Sequence, residues 1–536
     1  MTGFSFDRFQ GAVPGIAGRL LQPFQAQDAE NCDVRDGDIV PFKGLTSVTT
    51  LAKSGTIETV WRWDNSAWFH WASDVDVVDG PVPDDTEART YYTGDGVPQM
   101  TYAGIATSSG DGVFPSNSFN LGVPAPATAP SVSVSGTAND ENDIGEDRTY
   151  IYTYVSAKGE EGPPTGPSAS VLWKPGQTVD VTNMDTAPTG NLNITTKRIY
   201  RTATGGESTA FQFVDEINVA NTSYNDAIAT ESLGEVLPSV TWDPPPDNMI
   251  GLTAMPNGIL AGFRSNELLF SESFLPHAWP VNYRLQTEPD IVAIGAFGNS
   301  LVVATRDYPY LVTGTDPSAM AMQRMEVPYP CLAKRSMVDM GFAVVYASTD
   351  GLVRFDNNGP RIMTEGLFTP TQWRSFAPGS MHAYRFDDYY VAFYNTGNES
   401  AAMLLPLSGD WVMFLSFHAS AGWTDPEDGT LYVVQNNDEL QSFNTASALT
   451  IRWQSGARVI PRPVNIGAAR VDADAYPVTF RLIADDAVKA TKTVQDGQPF
   501  ALPGGYRSQR YAVEVEGTSR IRRIEAAESA REIGQL

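Results

Sequence analysis

The residues of this 536-residue chain with the types that catalysis or metal binding asks for are four histidines, His70, His277, His382 and His418, two cysteines, Cys32 and Cys331, and several acidic loops. Their spacing supports neither chemistry. Zinc sites usually draw ligands in closely spaced pairs, whereas these histidines and cysteines are scattered and only the fold would gather them. Asp74, Asp76, Asp79 and Gly80 approach a calcium loop, but the fifth position of such a loop needs an oxygen ligand, and Val78 stands there. Asn139-Asp140-Glu141-Asn142-Asp143 is imperfect in the same way, so both read as solvated loops. The chain has no Walker A loop, no GxSxG elbow and no HExxH pair. The expectation is therefore no enzyme, with no catalytic, cofactor-binding or metal-binding residues. Two groups remain open. Trp61, Trp63, Trp68 and Trp71 suit a sugar-stacking platform or packing between sheets, and packing is the commoner use of large aromatics. Arg507, Arg510, Arg520, Arg522 and Arg523 form a local basic cluster that is either a solvated sheet face or a docking surface for an acidic neighbour.

The overall balance is strongly acidic, with a formal net charge of −27. Wrapping of nucleic acid by a basic face is not expected on that ground, since phosphates are held by clustered Lys and Arg. DNA as passing cargo is not excluded, because a passage it must slide through without sticking would be acidic. The two cysteines, far apart in sequence, read as free packed thiols, with pairing left open. No stretch is apolar and long enough to span a bilayer, and Met1 to Phe9 lacks the basic start and apolar run of a signal peptide.

The elements that must position these residues are β-strands. The 46 glycines, 37 prolines and short Val/Thr/Tyr/Phe runs leave little room for helices, except brief periodic stretches at Ala26–Asn31 and Arg523–Arg531. One phrase recurs: LTAMPNGILAGFRSNELLFSE from Leu252, IGAFGNSLVVATRDYPYLVTG from Ile294, VDMGFAVVYASTDGLVRFD from Val338 and HAYRFDDYYVAFYNTGNESAAMLLP from His382. Aligning Ala254, Ala296, Asp339 and Ala383 gives steps of about 42 to 44 residues, the range of four-stranded propeller blades. A looser fifth unit begins at Trp423, and the aromatic hairpin TVWRWDNSAWFHW with the strand pair around Gly94-Asp95-Gly96 supplies a further blade. The fold expected is an all-β, six-bladed β-propeller.

Other segments interrupt or flank the blades. Residues 1–50 read as an N-terminal arm and platform strands, with a hairpin around Asp36-Gly37, and 51–124 as the first blade. Residues 125–240 read as an inserted fibronectin III-like β-sandwich, entered through the Pro- and Ala-rich LGVPAPATAP and left through Pro244-Pro245-Pro246. Residues 241–448 hold the remaining blades, and 449–536 a C-terminal β platform domain.

The phrases PGIAGRLLQPFQAQDAENCDVRDGDIVPFKG, MPNGILAGFRSNELLFSESFLPHAWP, VAIGAFGNSLVVATRDYPYLVTGTDPSAM, KRSMVDMGFAVVYASTDGLV and TEGLFTPTQW resemble the tail nozzle (tail tubular) proteins of short-tailed bacteriophages. That resemblance implies a structural virion protein of the tail: a hexameric ring forming the lower DNA channel, docked to the tail adaptor protein and holding tail fibres. Viral DNA would pass through without specific binding. The alternative is a tail-associated propeller that binds or cleaves host surface glycan. Sialidase propellers carry Ser-x-Asp-x-Gly boxes, but in Ser348-Thr349-Asp350-Gly351 the glycine follows the aspartate directly and the phrase occurs once, as in an ordinary turn.

Overall fold

A computed structural model describes residues 3–83, 85–202, 210–397 and 400–534. Strands dominate, and helix is confined to short turns such as Ala103–Ala106 and Pro370–Ser375. By contact density the chain falls into two units, one of Met1–Ala72, Val302–Leu311 and Arg324–Leu536, the other of Ser73–Leu301 and Val312–Gln323.

The repeated phrase folds as a four-stranded sheet. In the second unit one such sheet runs through Ile250–Met255, Ile259–Arg264, Glu267–Phe270 and Leu285–Gln286. Beside it lies a sheet of Asp76–Asp79, Thr90–Thr93, Gln99–Thr101 and Phe119–Asn120. Their first strands meet where the Gly251 amide donates to Asp76 Oδ2 at 2.8 Å, and Val78, Tyr91, Leu252, Leu260 and Trp279 share one core. In the first unit, comparable sheets span Val338–Ile362, His382–Leu415 and Ala421–Ser442. A further four-stranded sheet is built from Ile291–Phe297, Ser300–Thr305, Tyr310–Thr313 and Ala321–Arg324. Among the described residues this makes six blade-type sheets, and the fold is all-β, of propeller type.

Two details differ from the reading of 51–124 as one blade. Thr59–Trp63 and Ala67–Trp71 form a two-stranded sheet of their own, turning at Asp64 and Asn65, both of positive φ. The sheet of Ala421–Ser442 takes its fourth strand from Thr46–Thr50, far upstream in the chain. Local pattern shows the hairpin but not the second pairing, because strand pairing across hundreds of residues leaves no mark on the spacing of either partner.

Residues of the inserted segment build a sandwich. Ser131–Ser135, Thr178–Thr182 and Tyr224–Asp226 make one sheet; Tyr150–Ser156, Ile194–Thr202 and Phe211–Asn218 make another. Tyr150, Tyr152, Tyr154, Val179, Val181 and Ile199 pack between them.

The platform joins both ends of the chain. Its strands are β1 (Gly3–Phe6), β2 (Ala26–Glu30), β3 (Ile451–Ser455), β4 (Arg458–Val464), β5 (Ala468–Ala473), β6 (Val478–Ala484), β7 (Ala487–Val494), β8 (Phe500–Ala501), β9 (Ser508–Gly517) and β10 (Ile521–Ala527). One sheet has the order β1-β10-β5-β8; the other contains β2-β3-β9-β6-β7, with β4 on β9. Alternation explains the second sheet: Val478, Phe480, Leu482 and Ala484 of β6 are buried while Thr479, Arg481 and Ile483 are not. The β6–β7 connection is the two-residue turn Asp485-Asp486, both at positive φ, as a tight hairpin requires.

Neither expected helix forms: Ala26–Glu30 is a strand, and Arg523–Arg531 is strand as far as Ala527 and then turns. Ala26 and Ala29 have helix-like spacing, yet a register shift between Ala26 and Asp28 changes the alternation and turns both inward along β3. Ile524, Glu525, Ala526 and Ala527 are buried in succession, so both faces of β10 are covered there.

Candidate assembly surface

The five arginines of the basic cluster divide by place. Arg510 lies on β9, seven residues (517 − 510) before its end at Gly517, and Arg507 just precedes that strand. At about 3.3 Å per residue, this separates them by roughly 23 Å from the far end of β9, where the chain turns toward Arg520, Arg522 and Arg523. The second group is internally neutralised. Arg520 donates to Asp36 and, at 2.6 Å, to Asp38, which holds the β1–β2 end of the chain against the last turn and keeps the guanidinium firmly charged. Arg522 pairs with Asp474, and Arg523 reaches buried Glu525 at 3.1 Å. Arg510 pairs with exposed Asp486. Arg507 is exposed and forms no ion pair among the described residues.

What the sequence shows as one basic run is thus two sites of different character. The missed signal is the acidic pair Asp36 and Asp38 of the N-terminal hairpin, which only the tertiary fold brings to Arg520. That hairpin, with Asp7, Arg8, Gln10 and Trp411, lines an open crevice of about 590 Å³.

The histidines are not gathered. His70 accepts from the Lys53 amide at Nε2 (3.1 Å), and its Nδ1 faces the Trp68 carbonyl at 2.9 Å, so Nδ1 carries the proton and the ring is a neutral bridge. His382 lies between Tyr384 and the Ala419 carbonyl, 5.9 Å ring to ring from His418. Burial pushes the pKa of both downward. His277 is buried edge-on to Trp242, with no hydrogen-bond partner at Nε2 among the described residues. Cys32 and Cys331 are free and buried; the Cys32 thiol meets Met413 Sδ at 3.3 Å, and burial pushes both thiols up in pKa. Among the described residues no group of three or more His, Cys, Asp or Glu is placed to hold a metal.

The acidic loops serve the fold. Asp76 receives the Gly251 amide, and Asp140 accepts from the amide of Asn142 at 2.8 Å. Trp63 and Trp71 are buried, and Trp61 and Trp68 meet the ring of Trp423 edge-on, which makes the aromatic hairpin a packing surface for the Ala421–Ser442 sheet.

A scan of protein-family models finds no match, and a search of curated proteins finds none. Solved structures give distant likenesses. The WD40 domain of Neurospora crassa Pan2 covers 51% of this chain and 86% of its own, at 8% identity and TM-score 0.27. The AfRom2 CNH domain covers 72% and 99%, at 8% identity and TM-score 0.25. Apo AztD from Citrobacter koseri covers 70% and 100%, at 12% identity and TM-score 0.26. None of these likenesses carries an argument about function.

Proposed function

We propose that this chain is a structural protein of a short-tailed phage tail: a nozzle subunit that assembles as a hexameric ring, docks to the tail adaptor and holds fibres. The observation that carries the reading is the platform, in which strands from both chain ends co-fold beside blades bearing the nozzle-like phrases. The net charge of −27 fits a conduit for DNA. Each bore-lining Lys or Arg would hold a phosphate through counterion release, and many such contacts would stall transport. Acidic repulsion, in contrast, is screened within about 8 Å of the wall at physiological salt.

Mass determination and electron microscopy of the purified protein test the proposal. A six-membered ring, or incorporation into tail particles, supports it. A monomer or trimer that binds or depolymerises host surface glycan would replace it with the glycan-directed reading.

A further inference from the structure

The inserted sandwich is tied to the blade sheets of its own unit at one joint. Leu121 belongs to the apolar core of those blades and Val123 to that of the sandwich, so the chain passes from one core to the other at Gly122, and the two cores share no residue. Gly122 has φ +92°, and a Cβ there would lie 2.7 Å from Pro244 and 2.8 Å from Pro245, the residues by which the chain leaves the sandwich. Entry and exit therefore touch, and only glycine suits their crossing. A domain whose two ends meet at one point can turn about it without parting any strand.

Away from the joint the sandwich is seated on the blade by polar groups. Lys158, in the turn after Tyr150–Ser156, pairs with Glu87 of the blade, and its Nζ lies 3.8 Å from the centre of the Tyr102 ring. The Asn120 amide donates to the Asn191 carbonyl at 2.8 Å, and the Asn191 side chain donates to the Ser118 carbonyl. Beside this clasp is a patch whose hydrogen bonding is incomplete. Arg89 pairs with Asp85 at 3.0 Å and faces Glu160 of the sandwich. The Tyr91 hydroxyl faces the same Glu160, and His277 faces the Glu161 backbone. Both residues are buried, yet neither the Tyr91 hydroxyl nor His277 Nε2 has a hydrogen-bond partner among the described residues. A buried polar atom without a partner costs free energy that water would return if the sandwich lifted. The seat thus sets one charge pair and a few hydrogen bonds against groups that favour opening.

We propose that the inserted sandwich is a hinged arm, clasped to the blade by Lys158, Glu87 and Tyr102, which lifts about the joint of Gly122 and Pro244 and gives water access to Tyr91 and His277. The inference does not depend on the nozzle reading. It assigns the clasp as the point of control, since an acid offered to Lys158 or a base offered to Glu87 would compete for it.

Hydrogen exchange of the full chain, read by mass spectrometry, tests the hinge through the peptide containing Asn120, whose amide bond to Asn191 breaks when the arm lifts. That peptide should exchange before those containing Tyr152 of the sandwich core and Leu260 of the blade core. Lys158→Glu should speed its exchange about tenfold, through loss of the ion pair and the cation–π contact. The exchanged pair Glu87→Lys/Lys158→Glu should restore the wild-type rate. Tyr91→Phe should slow it at least about fivefold, because no hydroxyl is then left for water to satisfy on opening; a hydroxyl that supports the closed seat would give the opposite sign. An Asn120 peptide indifferent to Lys158→Glu, or faster in Tyr91→Phe, would overturn the hinge. So would equal acceleration of the Tyr152 and Leu260 peptides, which signals unfolding of the domains and not movement between them.

Discussion

Arg452 and Asp28 come from opposite ends of the chain and meet at 2.6 Å, with Arg452 opposing Glu30 across the β2–β3 ladder. The ion pair lies on the open side of the sheet, while Ala26, Ala29 and Trp453 are packed on the other. Its charges are partly exposed, so the pair itself contributes little, and the strand it decorates contributes much. Asp28→Asn should lower stability by less than about 1 kcal/mol. Deleting residues 1–30 removes β1 and β2 and should make residues 451–527 sensitive to protease; a deletion variant with a resistant platform would refute the co-folding of the two ends.

Trp453 is fully buried, meets the rings of Phe6 and Phe9 edge-on at 5.6 and 4.9 Å, and donates through Nε1 to the Gln10 carbonyl at 3.0 Å. Trp453→Ala should cost about 3–5 kcal/mol in urea unfolding. Trp453→Phe keeps much of the packing and loses the hydrogen bond, so it should cost less. Equal losses in the two variants would show that packing is not the dominant contribution.

Gly409 has φ +69°, and a Cβ there would lie 2.0 Å from the Met363 carbonyl oxygen. Backbone cannot rotate away as a side chain can. Gly409→Ala should therefore destabilise by more than about 1 kcal/mol. A thermal midpoint equal to wild type would contradict this close approach.

Burial holds the His277 imidazole at a pKa of about 4, against about 6.5 in an unfolded chain. As pH falls below 6.5 the unfolded chain takes a proton that the folded chain refuses. Stability from this group is thus complete above about pH 6.5 and falls toward pH 4, at up to about 1.4 kcal/mol per unit. Urea midpoints measured from pH 7.5 to 5 should fall less steeply in His277→Gln than in wild type. Parallel curves would mean that His277 titrates alike in both states.

Fold class was legible in the sequence because blade phrases carry their information locally: turn residues of positive φ such as Asp64 and Asn65, and alternation such as that of β6, act within a few residues. The 42–44 residue step follows from the same short-range rules applied repeatedly. Ala26 and Ala29 show where those rules fail, since a β-bulge lets helix-like spacing serve a strand, and only the ladder with β3 selects between the two.

The candidate surface was half legible. Sequence alone determined that a basic run ends an otherwise acidic chain and that the segments around it are strands. Tertiary structure decided which of those arginines have an acidic partner. Asp36 and Asp38 neutralise Arg520 because two ion partners need only be close in space, and sequence separation places no limit on that. Arg507 forms no ion pair among the described residues, and Val459 and Val488 come to one face through pairings among β4, β9, β6 and β7 whose registers are set by the shared core beneath them.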